Sequence, residues 1–254
     1  MSFRNIRIIV LLLILAAIAG MTYWESMLVR SWLRPLEVSI YVVNGDGSDA
    51  STAYISQLSN ESFQEIADFL DQQAERHRLK KLPLTQIKLA GEIQQAPPAP
   101  PNGERGVLAS LMWSLKMRYY AFHTTPFWEN LGRIRLFVVY HEGEDGKPLQ
   151  HSLGLRKGLV GVVHVFSKQE QSAQNNIVIT HELLHTMGAS DKYDAQGQPI
   201  FPDGFAQPED GERYPQHSAE IMAGRIAVRP DRAIIPDKLG ACAVGPKTAY
   251  EIGW

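Results

Sequence analysis

Two histidines four residues apart, His181 and His185, mark the segment that most limits how this chain can fold. Residues at this spacing project from the same face of an α-helix, about one turn apart. Apolar residues such as Ile177 and Leu184 can pack another face of that helix against a sheet, while the histidines face a cleft. The segment therefore predicts a helix over residues 175–187 that connects a packed core to a polar site.

Two imidazoles one helical turn apart can bind a single Zn²⁺ ion, with each nitrogen roughly 2.0–2.1 Å from the metal. Glu182 follows the first histidine, so its carboxylate lies beside the ion instead of coordinating it. There it can take a proton from a zinc-bound water, whose pKa the metal lowers to about 7, and later return it to the leaving group. The sequence thus predicts His181 and His185 as zinc ligands and Glu182 as catalytic base and acid.

A catalytic zinc site uses three protein ligands and keeps the fourth position for water. Gly188 can adopt the left-handed conformation that ends a helix and turns the chain back toward the metal. Asp191 lies six residues after His185, where a third ligand is needed, although an aspartate here can instead cap the turn. Asp191 is therefore predicted as the third ligand, with Asp194, His217 and Glu220 as the alternatives.

Residues 181–191 resemble the extended motif of the metzincin zinc peptidases, HExxHxxGxxH, with Asp191 in place of the last histidine. Snapalysin-like members of that clan carry aspartate there. Residues 220–224, with Met222 at their centre, are similar to the methionine turn that lies beneath the metal in metzincins. Together the two segments also resemble uncharacterised bacterial zinc-peptidase-like proteins. The resemblance implies a metzincin-like mixed sheet, a zinc cofactor and hydrolysis of peptide bonds.

The resemblance also implies how a substrate is held. An extended peptide would pair with an exposed edge strand, for which residues 159–166 are the candidate. Tyr193 or Tyr214 would donate a hydrogen bond to the developing oxyanion, although either tyrosine can be purely structural.

The N-terminus carries an apolar run over residues 8–21, preceded by Arg4 and Arg7 and followed by Tyr23 and Trp24. Basic residues before the run and aromatic residues after it are typical of a signal anchor, with the aromatics at the membrane interface. The pattern predicts one transmembrane helix, with the following domain outside the cytoplasm.

These features divide the chain into three parts: a signal anchor over residues 1–24, a juxtamembrane stalk over 25–35 and a catalytic domain over 36–254. The expected location is the periplasmic side of a bacterial inner membrane. A signal peptide cleaved near residues 17–19 is the alternative, and the domain would then be secreted.

Composition excludes other classes of function. The formal net charge of −2 does not favour a nucleic-acid partner, and the single cysteine, Cys242, excludes intrachain disulfides. Alternating and periodic apolar residues predict an α+β domain with a mixed sheet covered by helices. The predicted strands cover residues 36–43, 84–93, 134–141 and 159–166, and the predicted helices cover 60–78, 106–122, 175–187 and 248–253.

The sequence thus predicts a membrane-anchored zinc metallopeptidase that acts on a peptide or protein substrate. Two alternatives stay open. One is a zinc hydrolase of a non-protein amide, such as a cell-wall peptide. The other is a non-catalytic, metal-binding protein anchored in the membrane, against which Glu182 argues, because a structural metal site needs no carboxylate beside its first histidine.

Overall fold

The structure of the chain, a computed structural model, describes residues 3–79, 83–99, 107–126, 132–143, 153–155, 159–209 and 212–254. The helices are α1 (Phe3–Arg30), α2 (Asp49–Ile55), α3 (Gln64–Arg76), α4 (Val107–Thr124), α5 (Ser172–Met187) and α6 (Pro246–Ile252). The strands are β1 (Leu36–Asn44), β2 (Thr85–Glu92), β3 (Ile134–His141), β4 (Leu153–Leu155), β5 (Val160–Phe166), β6 (Ala219–Glu220), β7 (Ile226–Arg229), β8 (Arg232–Ile234) and β9 (Cys242–Ala243).

The main sheet has five strands in the order β2-β1-β3-β5-β4. The first four are parallel, and β4 pairs antiparallel with β5. Strands β1 and β3 are apolar and almost wholly buried along their length, which is typical of parallel strands covered on both faces. Two further pairs, β6 with β9 and β7 with β8, lie after α5. The chain is therefore α+β, with a sheet that is parallel apart from one short strand.

Helices cover both faces of the sheet. Alternate strand residues point to opposite faces, so Val138 and Val163 belong to one apolar cluster and Phe137 and Val162 to another. The first cluster includes buried residues of α3 and α5, and the second includes buried residues of α4. The helix with the paired histidines is thus fixed to one face of the sheet by its apolar residues, of which Leu183 is fully buried.

The predicted transmembrane helix is wrong. Residues at the N-terminus do form the helix α1, 28 residues long, but no helix among the described residues is long and apolar enough to cross a membrane. The uninterrupted apolar run, residues 8–21, spans roughly 21 Å at a helical rise of 1.5 Å per residue, against about 30 Å of hydrocarbon. Arg4, Asn5 and Arg7 make the first turns of the same helix polar. The expected location outside the cytoplasm stays a prediction.

The end of α1 packs against the C-terminus of the chain. Val29 and Trp32 are buried. The indole Nε1 of Trp32 donates a hydrogen bond to the carbonyl of Ile252 at 2.9 Å, and the Trp32 and Trp254 rings lie 5.5 Å apart. The segment expected as a stalk, residues 25–35, therefore contributes side chains to the core.

Strand β5, predicted as the edge that holds a substrate, is not the edge of the sheet. Strand β4 pairs with Val160–Val162 on the side away from β3. Beyond that pairing, the side-chain amide of Asn175 donates to the Phe166 carbonyl at 2.8 Å and accepts from the Phe166 N–H at 3.3 Å. Among the strands described, β4 is the outermost on this side.

Two histidine rings meet at the ends of β3 and β5. His141 Nε2 and His164 Nδ1 are 2.9 Å apart and share a hydrogen bond, and the rings stack with their centroids 5.2 Å apart. Burial and the neighbouring His141 lower the pKa of His164 to about 4. Burial also lowers the pKa of His141, which the charge of Asp46 partly opposes.

A histidine whose pKa is lowered by folding makes stability depend on pH. Between the folded pKa of His164 and its unfolded value of about 6.5, the unfolded chain binds more protons, so stability is present above that range and is lost as pH falls through it. We expect His164→Gln to lose less stability than wild type between pH 7 and pH 5, as measured by urea unfolding of the metal-free protein. His217→Gln, which removes an exposed histidine, should follow wild type. If His164→Gln lost as much stability as wild type between pH 7 and pH 5, the prediction would be contradicted.

The packing of α5 makes a second prediction. Leu183→Ala leaves a cavity between α5 and the sheet and should lower the free energy of unfolding by about 2–5 kcal/mol. Val178→Ala, on the same helix at a position 37% exposed, should cost less than about 1 kcal/mol. Urea denaturation at constant pH measures both variants, and equal shifts would show that α5 is not held by its buried face.

Candidate metal centre

The candidate metal centre begins at the C-terminal end of α5. Gly188 has a φ of 109°, the left-handed conformation that glycine adopts without strain. Its N–H donates to the carbonyl of His185 at 3.0 Å, and Ala189 donates to that of Leu184 at 3.1 Å. These bonds end the helix, so that the next residues turn back along its side.

The returning chain brings Asp191 to the two histidines. Its Oδ1 lies 3.2 Å from Nε2 of His181 and 3.0 Å from Nε2 of His185. The two rings are nearly perpendicular, with their centroids 4.6 Å apart. A tetrahedral zinc ion with bonds of about 2.0–2.1 Å separates its ligand atoms by about 3.3–3.4 Å. The spacing of the Asp191 oxygen from the two ring nitrogens suits one such ion.

Hydrogen bonds fix the orientation of both rings. His181 Nδ1 lies 3.0 Å from the carbonyl oxygen of Ile221, and His185 Nδ1 lies 2.8 Å from that of Ala189. A carbonyl oxygen only accepts, so each Nδ1 carries the proton and each Nε2 presents a lone pair when the ring is neutral. Bonds of this kind orient metal-binding histidines in known sites. No sequence signal points to these two acceptors, because both are backbone groups.

The electrostatics of the site favour a cation. Burial raises the pKa of the Asp191 carboxyl, but the hydrogen bonds and charges of the two histidines outweigh burial and hold the pKa well below its usual range. Burial lowers the pKa of His181, yet the bond to Asp191 and the charge of Glu182 more than offset that and raise it. The same negative charges that attract a proton to the rings attract a metal ion, which competes with that proton.

Glu182 lies beside the ligands. Its side chain is buried, with 6% exposed, and one carboxylate oxygen lies within 4.8 Å of a ring nitrogen of His181 and of His185. The structure therefore places one carboxylate, Asp191, on the Nε2 atoms and a second, Glu182, close by.

The other three candidate ligands are engaged elsewhere or exposed. Asp194 Oδ1 accepts from the N–H groups of Gln196 and Gln198, both at 2.9 Å, which is the arrangement of a turn cap. His217 is exposed. Glu220 is fully buried and hydrogen-bonded through both oxygens. Of the four candidates, Asp191 is the one whose side chain contacts both histidine rings.

The buried Glu220 joins two segments of the site. Its Oε2 accepts from the N–H of Met222 at 2.6 Å and of Ala223 at 3.0 Å, and its Oε1 accepts from the N–H of Gly245 at 3.2 Å and the Thr248 hydroxyl at 2.6 Å. Burial raises the pKa of this carboxyl, and the four hydrogen bonds oppose the rise. Glu220 thus connects the predicted methionine turn to the start of α6.

The methionine turn lies next to the His181 ring. Met222 is fully buried, and its neighbour Ile221 supplies the carbonyl that accepts from His181. The Met222 carbonyl accepts from the N–H of Lys192 at 3.0 Å, one residue after Asp191. The turn therefore contacts both segments that supply the site.

A cavity of about 370 Å³ opens beside His181. Its lining is mostly apolar and includes Val165, Ile177, Val178, Ile221, Ile235 and Pro236. The last two directly follow β8, so the segment after the β7–β8 hairpin supplies one wall. The C-terminal half of β5 supplies another. This shape and polarity suit an apolar side chain of a ligand.

Of the two candidate tyrosines, only Tyr193 adjoins the candidate metal centre. Its ring stacks on His181 at 6.5 Å between centroids, and burial together with the charge of Asp191 raises the pKa of its hydroxyl, which keeps it protonated as a donor. Tyr214 packs edge-on against Phe205, 5.6 Å between centroids, under the guanidinium of Arg213. Tyr214 therefore has a structural place.

A scan against protein-family models finds no match for this chain, and a search of curated proteins finds no significantly similar relative. The likeness of residues 181–191 to metzincins therefore stays a prediction. What the site can do follows from the placement of its side chains.

Proposed function

We propose that this chain is a zinc-dependent hydrolase that cleaves peptide bonds. The observation that carries the proposal is the meeting of His181 Nε2, His185 Nε2 and Asp191 Oδ1, with separations of 3.0 and 3.2 Å, beside the buried carboxylate of Glu182. The three residues would hold the ion. A bound Zn²⁺ supplies Lewis acidity, which makes water a stronger acid and polarises a carbonyl group.

Glu182 would carry the proton. Its carboxylate takes a proton from the water that attacks the scissile carbonyl carbon, and it returns that proton to the nitrogen of the leaving amine as the C–N bond breaks. The low exposure of Glu182 supports this role, because a base shielded from bulk water passes its proton to the substrate and not to solvent. Tyr193, whose ring lies next to His181, would donate a hydrogen bond to the carbonyl oxygen as negative charge develops on it.

Two features favour a peptide as the substrate. The apolar cavity of about 370 Å³ beside His181 has room for a large apolar side chain. The outermost described strand on that side is β4, whose inner edge pairs with β5. An extended peptide can add to the outer edge of such a strand by backbone hydrogen bonds. The cavity would select substrates with a large apolar side chain, and the strand edge would align the peptide backbone.

The ligand set predicts how zinc binding responds to mutation. The full-length chain, stripped of metal and dialysed, should bind one Zn²⁺. Asp191→Ala should lower the affinity at least about 100-fold, because it removes a direct ligand where loss of an outer-shell partner alone costs 10–100-fold. Competition with a chromogenic chelator measures the affinity. Asp194→Ala is the matched control and should bind as wild type does, so an equal loss in the two variants would remove Asp191 from the site.

The role of Glu182 predicts a variant that binds metal but does not turn over. Glu182→Gln keeps the shape of the side chain and removes the base, so hydrolysis should fall by about 10²–10⁴-fold while the zinc affinity stays near wild type. Digestion of a broad peptide library, with and without chelator, measures the activity. Glu75→Gln, at an exposed position on α3, is the control.

Two results of that digest would overturn the proposal. One is turnover by Glu182→Gln at the wild-type rate, since the proton would then pass by another route. The other is the absence of any chelator-sensitive cleavage by the zinc-loaded wild type across the library, which would exclude peptides of that diversity as substrates.

A further inference from the structure

The loop that carries Asp191 is fastened on both sides of that residue. The carbonyl of Ala189 accepts from the His185 ring at 2.8 Å. The N–H of Lys192 donates to Met222 at 3.0 Å. Asp191 itself remains 40% exposed through its side chain. Its position is therefore set by its neighbours in the chain and not by burial of its own carboxylate.

The residues on both sides of Asp191 also bind Glu251 on α6. Glu251 Oε2 accepts from the Ser190 N–H at 2.9 Å, and Oε1 accepts from the Ser190 hydroxyl at 2.8 Å. Lys192 Nζ donates to the same Oε2 at 2.7 Å and to the Ser190 carbonyl at 2.8 Å. One carboxylate thus binds the residue before Asp191 through two groups and the residue after it through its charge.

The Lys192–Glu251 ion pair is largely buried, so each charge depends on its partner. The Lys192 side chain is 4% exposed and that of Glu251 is 17% exposed. A buried ammonium needs a counter-charge and acceptors, and removing one partner of a buried pair leaves an uncompensated charge. Burial raises the pKa of Glu251, but the bonds from Lys192 and Ser190 outweigh it and hold the pKa below its usual value, so the carboxylate is ionised. If the Glu251 carboxylate lost its charge, Lys192 would lose its ion pair, and the loop that carries Asp191 would lose this attachment to α6.

Helix α6 is itself held at both ends, so Glu251 is a fixed point. Glu220 accepts from Gly245 and Thr248 at the start of the helix. At the other end, the Ile252 carbonyl accepts from Trp32 at 2.9 Å. The C-terminal helix therefore stands between the methionine turn and the Asp191 loop as a rigid support.

We propose that Glu251 is the positioning residue that holds Asp191 against His181 and His185, acting through Ser190 and Lys192. The inference rests on the proposed zinc site. It assigns the C-terminal helix a part in metal binding, although α6 supplies no ligand.

The test is a double-mutant cycle on zinc affinity in the full-length chain. Glu251→Gln should weaken Zn²⁺ binding 10–100-fold, the usual effect of losing an outer-shell partner. In the Asp191→Ala background the same change should have no further effect, because Glu251 acts only through Asp191. A chromogenic chelator reports the Zn²⁺ affinity, and Co²⁺ absorption reports whether the coordination is tetrahedral.

Glu37→Gln is the matched control, since it breaks the Glu37–Arg133 ion pair at the start of β1 by the same chemical change. It should leave the zinc affinity unchanged. Thermal unfolding of each metal-free variant checks the fold. If Glu251→Gln does not fold, Ser190→Ala takes its place, because it keeps the Lys192 ion pair and removes the Ser190 hydroxyl, which donates to Glu251 Oε1 and accepts from Lys192 Nζ at 2.6 Å. It should give a smaller loss, again absent without Asp191.

Three results would overturn the inference. Zinc affinity of Glu251→Gln, or of Ser190→Ala where it stands in, equal to wild type would show that Asp191 needs no support from α6. A further 10–100-fold loss in the Asp191→Ala background would show a general loss of structure instead of positioning. Wild type that binds no Zn²⁺ would overturn the proposed function as well, which separates that failure from the other two.

Discussion

The packing of α5 on the parallel sheet is the interaction on which the site depends. Leu183 and Leu184 are fully buried in the core between that helix and the strands, so the helix cannot rotate about its axis without exposing them. That fixed rotation sends the His181 and His185 rings to the side where the chain returns. A helix that presents an apolar face to a rigid sheet gives its polar side chains the precision that binding of an ion requires.

Three carbonyl or carboxylate groups outside α5 complete what the helix begins. The carbonyls of Ile221 and Ala189 orient the two rings, and Asp191 supplies the oxygen that approaches both. These groups come from two stretches in the last third of the chain, the loop after α5 and the turn at Ile221. Residues with no regular secondary structure can hold them in place because Glu220 and Glu251 accept hydrogen bonds from their backbone groups.

Several buried or partly buried carboxylates lie in this region, and each is close to hydrogen-bond donors or to groups that can carry positive charge. Glu220 accepts four hydrogen bonds. Glu251 faces Lys192 and Ser190. Glu182, also buried, lies beside His181 and His185, where a protonated ring or the proposed metal ion would supply positive charge. Such networks cost desolvation energy, and in return they specify one arrangement of the loops. That specificity matters for the proposed site because a shift of the Asp191 loop would separate the three atoms proposed as ligands.

Sequence by itself determined the local features of this protein. The spacing of His181, Glu182 and His185 on one helix, the end of that helix at Gly188 and the apolar strands are set by periodicity and backbone preference, which act between residues close in the chain. Residues 134–141 form the strand that was predicted. The apolar run near the N-terminus led to the wrong prediction of a transmembrane helix. Its hydrophobic character is typical of such a helix, but its 14 residues are too few to span the hydrocarbon of a membrane.

Only the tertiary structure decided which aspartate meets the histidines and what holds it there. The spacing after Gly188 favoured Asp191 over Asp194, but only the direction of the turn brings the Asp191 carboxylate to the rings and leaves Asp194 as a turn cap. Glu251 lies some sixty residues beyond Asp191 in the chain, and nothing in its local sequence connects the two. Contacts between distant segments depend on how the helices stack on the sheet, and that stacking is a property of the whole packed core and not of any short stretch of residues.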